Sequence, residues 1–276
     1  MKFWKLHGIG NDFVAIDGRF DNKDASDYSE YAKAVCHRKF SVGADGLLVV
    51  KNSDNCDVEM VYYNADGSRA AMCGNGLRCF VKFVYDNNIV RKEEFSVNTL
   101  DGVKKVKINL KGEEIDTIKV NMGNGSFLCE DIPAISNNKV FIGENIDVLD
   151  KNFEENAMLM GVPHVVILVD DISIEEVCKY GPLLEKNKNF PKGTNVNFVK
   201  IEDNNNIIVS TWERGCGYTL GCGTGMTASA IICNYLGKVN KSVNAKSEGG
   251  CVKIDIDDFV YMTGPAVKIC EGTLEV

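Results

Sequence analysis

The segment Cys73-Gly-Asn-Gly-Leu-Arg-Cys-Phe-Val-Lys-Phe-Val-Tyr85 runs from a glycine-rich turn into a helix that is apolar on almost every face. A second segment, Cys222-Gly-Thr-Gly-Met-Thr-Ala-Ser-Ala-Ile-Ile-Cys-Asn-Tyr-Leu236, has the same form and is followed by Gly237 as a C-cap. A helix that lacks a polar face must be surrounded by protein. Because strand patterns dominate the rest of the chain, we expect a curled sheet to wrap each helix.

These two helices indicate an internal repeat, because each comes late in its own half of the chain. We therefore predict an α+β fold of two pseudo-symmetric domains, each a curled mixed sheet wrapped around a central helix. The predicted domain with Cys73 comprises residues 1–119 plus 267–276, and the domain with Cys222 comprises residues 120–266. No proline-rich or low-complexity linker separates the two, so they should pack closely.

Apolar runs and alternating patterns predict the strands that surround the two helices. The predicted strands are residues 3–6, 13–17, 47–50, 58–63, 103–110, 165–169, 196–201, 207–212, 252–256 and 259–262. An apolar stripe predicts a further helix over residues 28–40. Ser173 and Glu176 form a capping box, which predicts another helix from there to about Tyr180.

The composition is that of an ordinary globular protein, with 45% hydrophobic and 25% charged residues in a chain of 276. The net charge is −8 and no basic block is present, which argues against a nucleic-acid partner. The longest apolar runs are too short to cross a bilayer, and the N-terminus lacks the features of a signal peptide. We therefore predict a soluble cytoplasmic protein that has no nucleic-acid partner and no contact with a membrane.

The chain contains 11 cysteines, and the odd number without an export signal argues against a disulfide framework. No pair of cysteines has the C-x-x-C spacing of a zinc site. Only three histidines are available to complete a set of metal ligands. We therefore predict no metal, and we expect most of the thiols to be small buried hydrophobic side chains.

Each Cys-Gly-x-Gly segment places a cysteine directly before a helix, where unpaired N–H groups and the positive end of the dipole face outward. A carboxylate can bind these amides, since glycine allows close approach, and the neighbouring thiol becomes easier to ionise. Two such thiols suit racemisation or epimerisation of an amino acid. One thiolate would remove the α-proton, the opposite thiol would return a proton, and the two helix N-termini would stabilise the enolate character of the carboxylate.

Together with seven further motifs, these segments resemble the diaminopimelate epimerases, which interconvert LL- and meso-diaminopimelate without pyridoxal phosphate. The resemblance extends nearly from end to end of the chain. The further motifs are His7-Gly-Ile-Gly-Asn-Asp-Phe-Val14, Gly43-Ala-Asp-Gly46, Tyr63-Asn-Ala-Asp-Gly-Ser68, Gly161-Val-Pro-His164, Asn195-Val-Asn-Phe198, Glu213-Arg-Gly-Cys-Gly217 and Tyr261-Met-Thr-Gly264.

The resemblance implies that Cys73 and Cys222 are the acid/base thiols, assisted by His164 and Glu213, and that no cofactor takes part. It also implies a homodimer that acts in the synthesis of lysine and peptidoglycan precursors. The backbone amides implied to hold the reacting carboxylate are those of Gly74, Asn75, Gly223 and Thr224. The side chains implied to bind the rest of the amino-acid substrate are those of Asn11, Asn64, Asn195, Glu213 and Arg214.

The chain departs from the family pattern at three positions. Val162 stands where the family usually has asparagine, Tyr218 replaces a glutamate, and Gly221 replaces an alanine. Because valine cannot donate a hydrogen bond to the distal carboxylate of diaminopimelate, a first alternative is a racemase or epimerase for another amino acid. A second alternative is a non-catalytic carboxylate-binding protein or a thiol-redox protein that uses Cys73 and Cys222.

Overall fold

The computed structural model describes residues 1–21 and 24–274 of the chain. They form two compact units, one from Met1–Met122 with the C-terminal segment that starts at Thr263, the other from Gly123–Met262. The domain limits drawn from the sequence, residues 1–119 plus 267–276 and residues 120–266, remain a prediction. Four residues of the first predicted domain, at positions 22, 23, 275 and 276, lie outside the described residues.

The first unit contains a sheet and two α-helices. Its strands are β1 (Lys2–Gly8), β2 (Asn11–Asp17), β3 (Gly46–Lys51), β4 (Val58–Asn64), β5 (Glu94–Thr99), β6 (Gly102–Lys111), β7 (Glu114–Gly123) and β17 (Val267–Thr273). Its helices are α1 (Ser29–Cys36), preceded by a 3-10 turn at Ala25–Tyr28, and α2 (Gly74–Asp86).

Strands β1 to β4 are covered by a helix on each face. Val14 and Ile16 of β2 belong to the apolar cluster that packs with α1. Phe13 faces the other way and meets the first turn of α2, where a side chain at Gly76 would come within 3.3 Å of its ring. Strand β3 is accordingly buried at five of six positions, as is typical of a parallel pair such as β2–β3. Helix α2 packs against β1, β2 and β3, and eleven of its thirteen residues are buried.

The second unit repeats this plan. Its strands are β8 (Glu144–Val148), β9 (Lys151–Met160), β10 (Val162–Leu168), β11 (Asn195–Asp203), β12 (Asn206–Glu213), β13 (Gly217–Thr219), β14 (Ser242–Ser247) and β15 (Gly250–Ile256). Strand β16 (Val260–Gly264) begins in the second unit, and its last two residues belong to the C-terminal segment of the first. Its helices are α3 (Ile174–Glu185) and α4 (Gly223–Tyr235).

The order of pairings shows the repeat directly. In the first unit β1–β2 is antiparallel, β2–β3 is parallel across α1, and β4–β5 is parallel across α2. In the second unit β9–β10 is antiparallel, β10–β11 is parallel across α3, and β12–β14 is parallel across α4. Helices α2 and α4 therefore occupy equivalent places, and each begins directly after a Cys-Gly-x-Gly cysteine.

Helix α4 keeps its own polar groups satisfied inside the protein. The hydroxyl of Thr227 donates to the Gly223 carbonyl at 2.8 Å, and that of Ser229 donates to the Gly225 carbonyl at 2.7 Å. Because each hydroxyl donates to a carbonyl of the preceding turn, these small polar side chains are buried without leaving a donor unpaired. Within the described residues, no helix has the length and apolar character that a membrane span requires.

Two helix lengths predicted from the sequence are wrong. Helix α1 ends at Cys36 instead of residue 40, because the N–H groups of Gly43 and Ala44 cap the carbonyls of Val35 and Cys36. Helix α3 continues past Pro182 to Glu185, although a Gly-Pro pair usually marks a helix end. Gly181 packs against the ring of Trp212, where a Cβ would lie 2.6 Å from the nearest atom, and this packing favours the continued helix.

Candidate active site

Cys73 is the N-cap residue of α2. Its extended backbone (φ −140°, ψ 124°) lets the sulfur accept a bond from the Gly76 N–H at 3.5 Å, while the Leu77 N–H donates to its carbonyl at 2.7 Å. The first turn of α2 contains no acidic residue. The positive end of the helix dipole therefore faces the thiol without a competing carboxylate, which favours an anion at this position.

Asn11 lies beside Cys73 because of a tight turn between β1 and β2. Ile9 (φ 48°) and Gly10 (φ 85°) are both left-handed, as a two-residue hairpin turn requires. A β-branched residue adopts this conformation at a cost in energy, which tertiary packing must offset, and Ile9 is buried. The turn brings Asn11 Oδ1 within 3.5 Å of Cys73 Sγ and of Asn75 Nδ2.

Arg78 was not anticipated as part of the site, yet it organises the first turn of α2. Its guanidinium is fully buried and donates to Asn75 Oδ1 at 2.8 Å and to the carbonyls of Gly74 and Pro265 at 3.3 and 3.1 Å. Burial lowers the pKa of this guanidinium, and its charge interacts favourably with Cys73. An arginine with apolar neighbours on both sides, near the start of the helix, was the sequence signal. We call Cys73, Asn11, Asn75 and Arg78 the Cys73 cluster.

Asn64, another predicted substrate contact, is the last residue of β4. Its side-chain oxygen accepts a bond from the Tyr62 hydroxyl at 2.9 Å, and its amide donates to the Ser68 hydroxyl at 3.0 Å. The side chain is only partly buried. Asn64 is thus held in a fixed orientation by its own strand and turn, at the end of β4 that precedes α2.

Cys222 is the N-cap residue of α4 and is only 6% exposed. Its sulfur lies 3.5 Å from the Thr224 hydroxyl, and the Met226 N–H donates to its carbonyl at 2.9 Å. The first turn of α4, like that of α2, carries no acidic residue. The two cysteines therefore occupy the same position, the N-cap of the central helix, in the two units of the repeat.

His164 on β10 is completely buried and lies next to Asn197 of β11. The amide nitrogen of Asn197 is 3.3 Å from His164 Nδ1, and within the described part of the chain His164 Nε2 has no hydrogen-bond partner. Burial, with a smaller contribution from the charge of Arg214, lowers the pKa of His164 to about 3. The imidazole is therefore neutral at physiological pH.

Asn197 is a further residue of the site that the sequence analysis missed, although it lies within the motif Asn195-Val-Asn-Phe198. Its side-chain oxygen would be 2.3 Å from a Cβ at Gly225, so only glycine lets the first turn of α4 approach this side chain. A second buried asparagine two residues after Asn195, on the same face of an apolar strand, was the available signal. We call Cys222, Thr224, His164 and Asn197 the Cys222 cluster.

The remaining predicted residues of the second unit form a hydrogen-bonded group around the end of β12. Asn195 donates to the Pro163 carbonyl at 3.2 Å and accepts from the Arg214 N–H at 2.8 Å. The exposed Arg214 guanidinium donates to the carbonyls of Lys192 and Gly193. Glu213 accepts a bond from the Thr219 hydroxyl at 2.6 Å. Asn195 thus fixes the backbone that carries Arg214.

The positions that depart from the family pattern also have defined surroundings. Val162 begins β10 and faces Met160 across a turn at Gly161, whose φ is +73°. The hydroxyl of Tyr218 donates to a carboxylate oxygen of Glu248 at 2.6 Å. The family pattern has a glutamate at position 218 itself. In this chain the carboxylate beside that position belongs to Glu248.

Two further observations concern the ligands that the chain could hold. Among the described residues, no three histidine, cysteine or acidic side chains are grouped as metal ligands. All eleven cysteines are free thiols, and Cys73 and Cys222 are the two that cap the central helices. The described residues therefore provide two thiols at helix N-termini and two sets of backbone amides that can donate hydrogen bonds to a carboxylate.

Comparison with known proteins agrees with this chemistry. The family model described as diaminopimelate epimerase matches residues 3–128 and 156–269. A diaminopimelate epimerase of Clostridium perfringens is 47% identical to this chain over 274 residues, and the alignment covers 99% of each protein. A diaminopimelate epimerase of Methanothermobacter thermautotrophicus is 41% identical, with 99% of this chain and 98% of the relative covered.

Solved structures support the fold at much lower identity. A hydroxyproline epimerase from Agrobacterium vitis superposes with a TM-score of 0.75 at 13% identity, over 99% of this chain and 91% of the other. A probable proline racemase from Agrobacterium radiobacter K84 superposes with a TM-score of 0.74 at 12% identity, over 100% of this chain and 93% of the other. At these identities the likeness shows the fold alone, and it confirms the predicted α+β class with curled sheets around central helices.

Proposed function

The chain belongs to the diaminopimelate epimerase family, and we propose that it interconverts LL- and meso-diaminopimelate by proton exchange at one α-carbon. The reaction serves the synthesis of lysine and peptidoglycan precursors and uses no cofactor. The observation that carries the proposal is the duplicated helix N-terminus with a capping cysteine, Cys73 on α2 and Cys222 on α4.

In the proposed mechanism the two thiols act on opposite faces of the α-carbon. One sulfur enters as thiolate and takes the α-proton, and the electron pair of the broken C–H bond moves into the carboxylate. The other sulfur enters as thiol and gives its proton to the α-carbon from the opposite side. The protonation states of the two cysteines are thereby exchanged, and the reverse reaction starts from the exchanged state.

The carboxylate gains negative charge during the reaction, and the helix N-termini are suited to stabilise it. The backbone amides of Gly74 and Asn75 on α2 and of Gly223 and Thr224 on α4 would donate to its oxygens. Arg78 supports the first of these groups, because it holds both Asn75 and the Gly74 carbonyl. The buried positive charge of Arg78 adds to the effect of the dipole.

The substrate's amino and distal groups require donors and acceptors of both kinds. Glu213 and the asparagine oxygens can accept bonds from an ammonium, and the exposed Arg214 guanidinium can bind a carboxylate with two parallel bonds. We assign Asn11, Asn64, Asn195, Glu213 and Arg214 to this task. Their fixed orientations in the two units support the assignment, since pre-organised groups lose little entropy on binding.

The test of this function is the entry of solvent deuterium into the α-position of diaminopimelate. We expect deuterium exchange and epimer formation without consumption of a reductant. A reducing agent is added only to keep the two thiols reduced. A non-catalytic carboxylate-binding protein would give neither signal. A thiol-redox protein would instead turn over a disulfide substrate at the expense of a dithiol. Absence of exchange by the fully reduced protein would contradict the proposed function.

An epimerase or racemase for another amino acid is the second candidate, and the observation that favours it is Val162. The substitution Val162→Asn restores an amide that can bond a charged distal group, an interaction worth about 1.5–3 kcal/mol. That is roughly a tenfold to hundredfold gain in affinity. For diaminopimelate as natural substrate, we expect less than about a tenfold fall in KM, because Asn64, Asn195 and Arg214 remain available.

The measurement compares KM for LL-diaminopimelate in the wild type, Val162→Asn and the control Val162→Ala, which changes size without adding a donor. A hundredfold or larger fall in Val162→Asn alone would contradict diaminopimelate as substrate. Activity of the wild type on a panel of single amino acids supplies a second check. A higher kcat/KM for any of them than for LL-diaminopimelate would support the second candidate.

The proposal includes a cytoplasmic location and a homodimer. The reaction needs reduced cysteines, and the cytoplasm keeps thiols reduced. For the dimer, the support is strand β17, which exposes the apolar side chains of Val267 and Ile269 at 45% and 52%. Light scattering coupled to size-exclusion chromatography should give twice the chain mass of 30.4 kDa. A mass of one chain at micromolar concentration would contradict the dimer.

A further inference from the structure

The orientation of the Asn197 amide is determined by its neighbours. The nitrogen Nδ2 lies 2.8 Å from the Val165 carbonyl, which can only accept a hydrogen bond. The oxygen Oδ1 accepts a bond from the Thr211 hydroxyl at 3.0 Å. The opposite orientation would bring two oxygens together at Val165. Asn197 therefore presents a nitrogen donor, and not an oxygen, toward β10.

The same nitrogen lies 3.3 Å from His164 Nδ1. An amide nitrogen donates and does not accept, so Nδ1 must offer its lone pair to this contact. In a neutral imidazole the proton is then on Nε2. His164 Nε2 is fully buried and has no hydrogen-bond partner in the described part of the chain, so its N–H group is a donor that protein groups leave unused.

The pair belongs to the surroundings of Cys222. Asn197 Oδ1 lies against the first turn of α4, at 2.3 Å from the place where a Cβ of Gly225 would be. The same position is 3.3 Å from the Cβ of Cys222. The hydrogen-bonded chain Thr211–Asn197–His164 therefore runs from β12 to β10, and its middle residue, Asn197, contacts the first turn of the helix that carries the cysteine.

We propose that Asn197 is a positioning residue that holds His164 as the neutral Nε2–H tautomer, so that His164 donates a hydrogen bond during the reaction and takes no proton. The reaction meant here is the epimerisation proposed above, on which this part of the inference rests. With a proton on Nε2, that nitrogen has no lone pair for the α-proton, which goes to a thiolate sulfur. The N–H group is suited to an anionic acceptor, either a thiolate or a carboxylate oxygen of the bound amino acid.

The first experiment measures the tautomer in the wild-type protein by ¹⁵N NMR of its histidines. The chain has three, His7, His37 and His164, so the spectrum of His164→Gln assigns the signals of His164 by their loss. A nitrogen without a proton resonates far downfield of a protonated one. We expect the Nδ1 of His164 in the downfield range and Nε2 in the protonated range, unchanged from about pH 6 to about pH 8. A protonated Nδ1, or titration within this range, would overturn the inference.

The second experiment compares Asn197→Ala with a matched control, Asn156→Ala. Asn156 is also fully buried, and its amide nitrogen lies 3.5 Å from the carbonyl of Val166, the next residue along β10, while its oxygen accepts from the Gly143 N–H. We expect Asn197→Ala to show a mixture of both His164 tautomers and a kcat lower by roughly tenfold to a hundredfold, with a smaller change in KM. Asn156→Ala should leave the His164 spectrum unchanged.

The outcomes separate this inference from the proposed function. An unchanged His164 spectrum in Asn197→Ala would overturn the role of Asn197, whatever happens to kcat. A wild-type protein with the expected tautomer but without deuterium exchange into diaminopimelate would support the tautomer assignment and overturn the proposed function. Should Asn197→Ala fail to fold, the wild-type spectrum alone still decides the tautomer.

Discussion

Replacing Cys222 with serine is expected to reduce the interconversion of LL- and meso-diaminopimelate by roughly a thousandfold, within the range that a positioned acid or base contributes. A serine hydroxyl does not ionise near neutral pH, so the α4 side of the site loses its proton donor and acceptor. The fold should be kept, because serine is among the preferred N-cap residues and differs from cysteine by one atom. Cys73→Ser should have an effect of the same size.

The two variants should differ in a second measurement, which is exchange without inversion. With only one thiol left, the protein can still remove and return a proton on one face of the α-carbon. Each variant should therefore wash deuterium into one epimer and leave the other unlabelled, and the labelled epimer should be opposite in the two variants. This pattern distinguishes a lost acid/base group from a general loss of binding, which would lower the exchange of both epimers.

The chain offers matched controls for the loss of a thiol. Cys270→Ser in the first unit and Cys251→Ser in the second change exposed cysteines on strands β17 and β15. Both controls should keep full activity. Substrate should also protect Cys73 and Cys222 from alkylation while the exposed thiols react. More than a few per cent of the two-way rate in Cys222→Ser would contradict the mechanism with two thiols.

The sequence predicted the central helices and the capping cysteines because both depend on local pattern. A run of apolar residues on every face of a helix leaves no alternative to burial, and α2 and α4 are indeed buried along almost their whole length. Helix N-termini are equally local, so the positions of Cys73 and Cys222 followed from the glycines beside them. The fold class could be inferred from these features alone.

Other features depend on contacts that the sequence does not display. Strand β9, whose sequence is Lys-Asn-Phe-Glu-Glu-Asn-Ala-Met-Leu-Met, was missed because acidic and amide residues interrupt the apolar pattern. Two of those polar residues, Glu155 and Asn156, are buried at the centre of the second unit. Arg78 and Asn197 were missed for the same reason, since a buried polar side chain has meaning only through its partners.

Glu155 leads to the second prediction, which concerns stability and its dependence on pH. It lies on β9 between Phe153 and Ala157, opposite Ile167 of β10, and these three neighbours belong to one apolar cluster. Its side chain is fully buried, and neither carboxyl oxygen has a hydrogen-bond partner in the described ranges. Burial raises the pKa of Glu155 from its ordinary 4.5 to about 8. At neutral pH the folded protein therefore keeps this carboxyl protonated.

The sign of the effect follows from the proton balance. Below about pH 4.5 both states hold the proton, and Glu155 causes no loss of stability. Between about pH 4.5 and pH 8 only the unfolded chain releases it, so the free energy of unfolding falls by about 1.4 kcal/mol per pH unit. Glu155→Gln cannot ionise, and it should be more stable than the wild type by about 3 kcal/mol at pH 7 and by less than about 1 kcal/mol at pH 5.

The measurement is urea unfolding of the wild type, Glu155→Gln and the control Glu154→Gln at about one-unit steps from pH 5 to pH 8. Glu154 has the same type of side chain one residue away, on the exposed face of β9, so its variant should show the same dependence of stability on pH as the wild type. His164 is buried and neutral in the folded protein, so below its ordinary pKa of 6.5 it makes the free energy of unfolding rise with pH. Both proteins contain His164, and its contribution therefore cancels when their free energies of unfolding are subtracted. A difference between wild type and Glu155→Gln that stays constant from pH 5 to pH 8 would mean that Glu155 ionises equally in both states. Burial would then fail to hold its proton, and the apolar surroundings of β9 would have to admit water to the carboxylate.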